Sequence, residues 1–433
     1  MGAGVLAMCL VTRRAWEWRQ VRRSRSLAAL PVQDRGERFA VGRRLVCVVP
    51  MFQETDLAEE TVRFWRQLLR RQALDAVVLV TTAKESEGAG PTTHTVLRQA
   101  LRDDPAEKGT LVLLHCQEPF PYRAAQLDLA VEWAREQFSP AAQVNDLWIG
   151  VYNADSRPQD ETFGELRAQI AAAPGVRLFQ QLVDYVVPDR PGSGRVACGN
   201  AVLQTWWTLS HYVSRNTHGR PGDSLWSRTV PYSTFGHGEF IRSDFLDLIG
   251  GFPRYAYADG LLLGWVARLA GEPIGLLVSR DIAEVPRTAH DLVLQQTAWL
   301  RGLLNFSITA RWCRARGLLR LSEWEVRLLR LRHLVIPVAW GISTAVVTAG
   351  LAVEVHRVIR GRSAAHDLAT VATLAVYPVL PGLVATTAQQ HATSPVRRVA
   401  GVLASWPVEG LAFWPALDGH LRRGRQAPAK TPR

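Results

Sequence analysis

Four short apolar runs, separated by segments with helical periodicity, place the strongest constraint on how this chain folds. Each run suits a strand buried in a parallel sheet, and the four lie at 45–52, 76–82, 110–116 and 147–156. Amphipathic helices are expected between them, among others at 57–71 and 124–137. This alternation predicts an α/β fold, with a mostly parallel sheet and helices on both of its faces.

Polar side chains follow three of these runs. In open α/β sheets, ligands bind beyond the carboxyl ends of the strands. The polar residues at those ends are Gln53, Glu54, Thr81, Thr82, Asn153 and Asp155. The pattern therefore predicts a ligand site at the carboxyl edge of the sheet.

The formal net charge of +12 is concentrated in three segments. Residues 13–44 hold ten arginines and three acids, residues 311–332 hold seven arginines and two acids, and the tail from Leu421 holds basic residues and no acid. These runs carry no zinc-ligand spacing or RNA-binding strand motif, and two of them flank apolar segments. Membrane lipid is therefore the expected partner, and nucleic acid is not. The five widely spaced cysteines argue against a disulfide scaffold or a zinc site and are typical of a reducing compartment.

Two uncharged runs in the C-terminal third, 333–353 and 368–388, contain 21 residues each. Either run can cross a bilayer as a helix, and we expect both to do so. The stretch 399–417 contains Glu409, two prolines and two tryptophans, so we expect an interfacial or re-entrant segment there. The apolar run from Gly2 to Val11 is too short to span, and it is either an anchor or the end of a longer helix.

The predicted organisation has five parts. These are a basic leader at 1–44, an α/β domain at 45–310, a basic amphipathic interface helix at 311–332, a membrane region at 333–417 and a basic tail at 418–433. Because arginine-rich flanks are retained on the cytoplasmic side, we expect a multi-pass protein of the cell membrane with its α/β domain in the cytoplasm.

Six segments resemble, in order and at suitable spacing, the motifs of family-2 inverting glycosyltransferases with membrane helices, the group that includes cellulose and hyaluronan synthases. The segments are VVPMFQE (48–54), YRAAQLDLAVE (122–132), VYNADSRP (151–158), FGHGEFIRSDFLDLIGGFP (235–253), YADGLLLGWVARLAGEPI (257–274) and LQQTAWLRG (294–302). Each match alone is weak, whereas six in sequence are a strong signal. The resemblance implies a GT-A-type fold and a nucleotide-sugar donor.

The resemblance also implies a chemistry. Inverting sugar transfer displaces a diphosphate from the anomeric carbon, so it needs a base, positive charge at the leaving group and a fixed donor. Asp259 stands at the position of the family's catalytic aspartate, and we interpret it as the base. The alternative interpretation is a helix N-cap, and the two are compatible because a cap would hold the carboxylate in place.

Asp155 stands at the last aspartate of the family's metal motif, which implies that it binds Mg²⁺ or Mn²⁺ together with the donor. The first aspartate of that motif is Asn153 here, which brings no charge and predicts weaker metal binding. A local turn before Pro158 is the alternative role for Asp155.

The resemblance places further residues at the donor: Pro50, Glu54, Thr82, Asn153, Gln295, Trp299 and Arg301. Thr82, Ala258 and Ala298 depart from the family pattern, as Asn153 does, which permits a different donor or a domain without catalysis. Gly236, His237 and Gly238 are the candidate acceptor loop, since glycines let backbone approach a bound sugar or lipid. A structural role for His237 is equally compatible with the sequence.

Three functions fit these observations. The first is a sugar transferase that builds a polysaccharide or glycolipid on a glycan or lipid-linked acceptor. The second is a transferase that loads a single sugar onto polyprenyl phosphate. The third is a non-catalytic relative that serves as a membrane scaffold or as the partner subunit of an export machinery.

Overall fold

A mixed sheet of eight strands forms the centre of the part of the chain that the computed structural model describes. The described residues are 2–28, 43–71, 74–85, 90–102, 110–118, 123–138, 147–189, 194–212, 234–254, 259–361, 374–376, 378–384 and 386–421. The strands are β1 (Arg44–Pro50), β2 (Ala76–Thr82), β3 (Thr110–Cys116), β4 (Leu147–Val151), β5 (Arg157–Pro158), β6 (Leu178–Val186), β7 (Glu239–Arg242) and β8 (Ile274–Glu284).

The strand order is β3-β2-β1-β4-β7-β6-β8-β5. The first four strands in that order are parallel, and so are β6 and β8. β7 is antiparallel to both of its neighbours, and the short β5 is antiparallel to β8. The predicted α/β sheet with helices is confirmed, and the sheet is mixed, with antiparallel pairings at β7 and β5. The prediction that β4 reaches residue 156 is wrong: after Tyr152 donates a last sheet hydrogen bond to Val48, Asn153 and Ser156 bond to each other and turn the chain.

Helices cover both faces of this sheet. They are α1 (Gly2–Ala28), α2 (Thr55–Arg70), α3 (Thr93–Arg102), α4 (Arg123–Phe138), α5 (Thr162–Ala172), α6 (Arg195–Trp207, continued by a π-helical turn Thr208–Tyr212), α7 (Ser243–Ile249), α8 (Asp259–Leu269), α9 (Ala289–Leu304), α10 (Phe306–Ala315), α11 (Glu323–Ile359), α12 (Ala388–Ala392), α13 (Pro395–Leu411) and α14 (Phe413–Leu421). Side chains of β1 alternate between two cores: Val46 and Val48 pack with α4 and α8, and Leu45 and Val49 pack with α2 and α5.

The basic leader docks through α1 onto α6 and its π-helical turn. Glu17 is buried, pairs with Arg14, accepts a hydrogen bond from Trp206 Nε1 at 3.1 Å and lies 3.5 Å from His211 Nε2. Trp18 stacks on Trp206 with ring centroids 6.2 Å apart. Burial by itself would raise the pKa of Glu17, but the charges of Arg14 and His211 outweigh it and hold that pKa at about 2.

Protonation of Glu17 is expected to release this helix. Because the folded pKa lies below the ordinary value of 4.5, the stabilisation that charged Glu17 gives to the folded protein is present above pH 4.5. It is lost as the pH falls toward 2. The shift corresponds to about 3 kcal/mol. In denaturant unfolding at pH 7, Glu17→Gln should lower the free energy of unfolding by about that amount, and the difference should shrink at pH 3. Glu59→Gln, at an exposed position, is the control; a pH-independent difference for Glu17→Gln would contradict the expectation.

The range 311–332 does not form the one interface helix that the sequence predicts. α10 ends at Ala315, Gly317 adopts a positive φ of 67°, and Ser322 starts α11 with a capping box to Glu325. The basic residues are therefore divided between two helices and the turn that joins them.

Among the described residues, α11 is the one helix long and apolar enough to cross a membrane. It includes the predicted span 333–353. The second predicted span, 368–388, lies partly outside the described residues. Buried positions form one stripe of α11, at His333, Pro337, Gly341, Thr344 and Val347. Apolar side chains on the rest of its surface are exposed: Leu331, Leu334, Val335, Ile342, Val346, Val353, Val355, Val358 and Ile359.

The predicted interfacial segment 399–417 consists of α13 and α14, which pack on the α/β domain. α13 crosses α6 at Gly401 and Gly199, where the two helix backbones are in contact. Val202 of α6, Val347 of α11 and Trp406 of α13 belong to one apolar cluster. The boundary predicted at residue 310 therefore does not separate two independent cores.

Candidate active site

The carboxyl ends of β1 and β2 are joined by one side chain from α4. Gln126 donates from Nε2 to the carbonyl oxygens of Met51, at 3.1 Å, and Val80, at 2.7 Å. Pro50 pairs in register with Val80, so the loop after β1 starts beside the end of β2. This loop turns at Gln53, whose φ of 54° is unusual for a residue with a side chain.

Two of the predicted donor residues lie at this part of the edge and take part in hydrogen bonds there. The backbone N–H of Glu54, just before α2, donates to Thr93 Oγ1 at 2.8 Å. Thr82 is buried and its Oγ1 accepts from the backbone N–H of Lys84 at 3.2 Å. Both residues are thus at the predicted edge.

Sequence reasoning missed a pair of histidines next to Thr81. Thr81 Oγ1 lies 2.9 Å from Nδ1 of both His94 and His115, and the two rings are 4.5 Å apart. Partial burial, then the neighbouring His115 and Arg98, lower the pKa of His94. Two imidazoles and a threonine hydroxyl therefore lie together at the end of β2.

The loop after β4 carries Asn153 and Asp155. Asp155 is 3% exposed, and its Oδ2 accepts from the backbone N–H of Glu284 at 3.0 Å. Asn153 Oδ1 accepts from Arg123 Nη2 at 3.2 Å. Arg123 begins α4, and the sequence alone does not indicate that it lies in the site.

The glycine loop 236–238 lies beside the Asp155 loop. Gly236 and Gly238 have positive φ angles of 83° and 61°, which only glycine adopts without strain. Gln180, from β6, donates from Nε2 to the carbonyl oxygens of His237 at 2.8 Å and Gly238 at 3.2 Å. The loop is therefore held by the sheet.

A buried carboxylate, Asp281 of β8, connects these two loops. Its Oδ2 accepts from Ser156 Oγ at 2.8 Å and lies 2.8 Å from His237 Nδ1. His237 is itself buried, and its orientation is fixed by this contact. Sequence reasoning missed Asp281, because β8 also contains Arg280 and Glu284 and the charge of Asp281 does not stand out in the sequence.

Asp259 is the first residue of α8, and this helix starts against the glycine loop. A Cβ on Gly260 would overlap the backbone of Gly236, and Thr234 Oγ1 donates to the Gly260 carbonyl. The backbone of the predicted base is thus next to the predicted acceptor loop, while its side chain lies outside what the structure describes.

The other predicted donor residues lie on α9, where Gln295 contacts α6 and Arg301 contacts α14. Gln295 Oε1 accepts from Gln204 Nε2 at 2.9 Å, and Arg301 Nη2 donates to the Pro415 carbonyl at 3.2 Å. Trp299 is 39% exposed. The hydrogen bonds of Gln295 and Arg301 within the described part of the chain do not run to the Asp155 loop.

The described residues do not fit a resident metal ion. No group of three His, Cys, Asp or Glu side chains converges within the described part of the chain. Asp155 supplies one carboxylate, and the neighbouring Asn153 oxygen is bonded to a guanidinium, which repels a cation. Mg²⁺ or Mn²⁺ would need donor phosphate oxygens for most of its ligands, with Asp155 as the protein ligand.

No family model and no curated protein matches the chain. Among solved structures, mannosyltransferase PcManGT from Pyrobaculum calidifontis, in complex with GDP-Man and Mn²⁺, superposes with a TM-score of 0.51 at 14% identity, covering 98% of this chain and 100% of its own. The fold is GT-A-type. Glucosyl-3-phosphoglycerate synthase from Mycobacterium tuberculosis, in complex with Mn²⁺, UDP and phosphoglyceric acid, matches 56% of this chain and 70% of its own with a TM-score of 0.30 at 14% identity.

Proposed function

We propose that this chain is a membrane-bound, inverting glycosyltransferase that moves a sugar from a nucleotide-sugar donor to a lipid-linked or glycan acceptor at the cytoplasmic face. The observation that carries the proposal is a GT-A-type fold with Asn153, Asp155, the glycine loop 236–238 and the start of α8 at one edge of the sheet. Three of the six sequence motifs supply these residues.

The proposed reaction uses the chain's own groups at this edge. The acceptor hydroxyl attacks the anomeric carbon while the bond from that carbon to the diphosphate oxygen breaks. The diphosphate leaves with the bonding electrons, and Asp259 takes the hydroxyl proton. The glycine loop, beside which α8 begins, would hold the acceptor.

Nucleotide binding tests this proposal directly. At a ligand concentration about 100 times the Kd, GDP or UDP should raise the melting temperature of the purified protein by about 3 °C, because a ligand that binds only the folded state stabilises it. Transfer of labelled sugar from the matching nucleotide sugar to a membrane lipid extract should then be detectable. A protein whose melting temperature responds to no nucleotide diphosphate, with or without Mn²⁺, is not the proposed enzyme.

Variants of the Asp155 loop test whether Asp155 binds a metal ion together with the nucleotide. Asp155→Ala is expected to abolish the contribution of Mn²⁺ to nucleotide affinity, and Asn153→Asp to enlarge it by about tenfold, since each added carboxylate strengthens the attraction for a hard cation. Isothermal titration calorimetry with and without Mn²⁺ measures both. Identical metal dependence in the two variants would rule out Asp155 as a ligand.

The exposed apolar surface of α11 supports the membrane part of the proposal. Two single-cysteine variants, Ser363→Cys and Gln426→Cys, test the topology; both positions lie outside the described residues. If the chain has two spans, a membrane-impermeant reagent should label Ser363→Cys in intact cells and Gln426→Cys only after lysis. Labelling of the second in intact cells would mean that 399–417 crosses the membrane.

A non-catalytic scaffold is the second candidate. The Arg123–Asn153 bond favours it, because this contact stands where a metal-binding carboxylate would otherwise be. Failure of nucleotide binding together with stable membrane association would support this role.

A further inference from the structure

A guanidinium joins the two loops at the centre of the candidate site. Arg123 donates from Nη2 to Asn153 Oδ1 at 3.2 Å and also to the carbonyl oxygen of Gly236. A Cβ on Gly236 would lie 3.1 Å from Nη1, so the side chain passes directly along the glycine loop. Arg123 is half-buried, so part of its side chain remains accessible to solvent.

The charges around Arg123 and Asn153 favour binding of an anion over binding of a cation. An aspartate at position 153 would attract a divalent ion, but Asn153 carries no charge and its oxygen is occupied by Arg123. One carboxylate oxygen of Asp155 already accepts the Glu284 N–H. A divalent ion here would therefore face a fixed positive charge and a single carboxylate, whereas a phosphate would face a hydrogen-bond donor of opposite charge.

We propose that Arg123 binds the diphosphate of the donor directly. Its guanidinium supplies the positive charge that would otherwise come from a metal ion bound by a second carboxylate. This inference rests on the proposed function and names the group that recognises its donor. Guanidinium N–H groups match phosphate oxygens in pairs, and Arg123 exchanges its contacts with Asn153 and Gly236 for them when the donor binds. When the bond to the anomeric carbon breaks, the same guanidinium stabilises the charge that develops on the leaving diphosphate.

Two consequences distinguish Arg123 from a residue that merely supports the loops. Donor binding should depend weakly on divalent metal in the wild-type protein. Removing the guanidinium and restoring the carboxylate together should convert the site to one that requires metal. A structural role for Arg123 predicts loss of folding or of binding in every condition and no such exchange.

The test is calorimetric titration of GDP and UDP in EDTA and in Mn²⁺. In the wild-type protein, the Kd in EDTA should lie within about threefold of the Kd in Mn²⁺. In EDTA, Arg123→Gln should weaken binding by about 10- to 100-fold, the effect of one or two charge-assisted hydrogen bonds. Arg123→Lys, which keeps the charge, should recover part of this loss. The double variant Arg123→Gln/Asn153→Asp should bind only with Mn²⁺.

Arg135→Gln, on the same helix, is the matched control, because Arg135 pairs with Asp247 outside the site. Wild-type binding that requires Mn²⁺, or tight binding by Arg123→Gln in EDTA, would overturn the inference and leave the proposed function standing. Absence of nucleotide binding by the wild-type protein under both conditions would overturn the proposed function and this inference with it. Melting curves of each variant identify loss of folding. If Arg123→Gln does not fold, Arg123→Lys in EDTA replaces it in the test: weakened binding supports the inference, and binding as tight as that of the wild-type protein overturns it.

Discussion

Asp259→Asn is expected to reduce sugar transfer by about 10³-fold while nucleotide affinity stays within a few-fold of the wild-type value. An amide keeps the shape of the carboxylate but cannot accept the proton of the acceptor hydroxyl, and general base catalysis contributes about 10²- to 10⁴-fold. The change should therefore appear in kcat rather than in donor binding.

The structural basis for this expectation is the contact between α8 and the glycine loop. A Cβ on Gly260 would overlap the backbone of Gly236, so Gly260 cannot carry a side chain without displacing the glycine loop. Asp259 precedes Gly260, so its backbone position is fixed beside the predicted acceptor loop. Single-turnover assays with saturating donor measure the chemical step, and calorimetry measures donor affinity.

Asp247→Asn is the matched control for loss of one carboxylate. Asp247 is 46% exposed and pairs with Arg135 near the C-terminal end of α4. Its transfer rate should equal that of the wild-type protein. Transfer by Asp259→Asn within a few-fold of the wild-type rate would show that another group takes the proton. His237 would then be the first residue to examine, since Asp281 already fixes its ring.

Strands β1 to β4 were predictable because each contains a continuous apolar run of its own residues, whereas β5 to β8 were not predicted. β2 and β3 were predicted to the residue, since buried parallel strands are continuous apolar runs. The end of β4 was not, because it depends on reciprocal bonds between Asn153 and Ser156 that a run of residue types does not reveal. The pairing of β5 with β8 joins residues more than 120 positions apart, and no local pattern specifies such a contact.

The residues of the site also divide into those that the local sequence predicts and those that it does not. Asn153, Asp155 and the glycine loop were found because each follows a strand or carries paired glycines. Asp281 and Gln180 were missed because their roles depend on side chains that strands β8 and β6 direct toward loops far away in sequence. Arg123 was missed for a different reason: its segment was identified by resemblance to a family motif, and the sequence alone does not show that its charge lies beside Asn153.

Gly199→Ala is expected to destabilise the folded protein by about 3 kcal/mol, although the same change in an isolated helix stabilises it. Alanine exceeds glycine in helix propensity by about 1 kcal/mol. At Gly199, however, the added Cβ would overlap the carbonyl group of Gly401, and a Cβ at Gly401 would lie 2.8 Å from the backbone nitrogen of Gly199. Backbone atoms cannot rotate away as a side chain does, so α6 and α13 must separate.

Separation of these helices affects the whole molecule, which makes the expected effect large. α6 shares an apolar cluster with α11 and α13, and its Gln204 bonds to Gln295 of α9. Gly350→Ala is the matched control, because the atom nearest its added Cβ is the terminal methyl of Leu374, which can move. Denaturant unfolding should show a large loss of stability for Gly199→Ala and a change within about 1 kcal/mol for Gly350→Ala. Equal stability of the two variants would mean that α13 is not held against α6, and that the C-terminal helices move independently of the α/β domain.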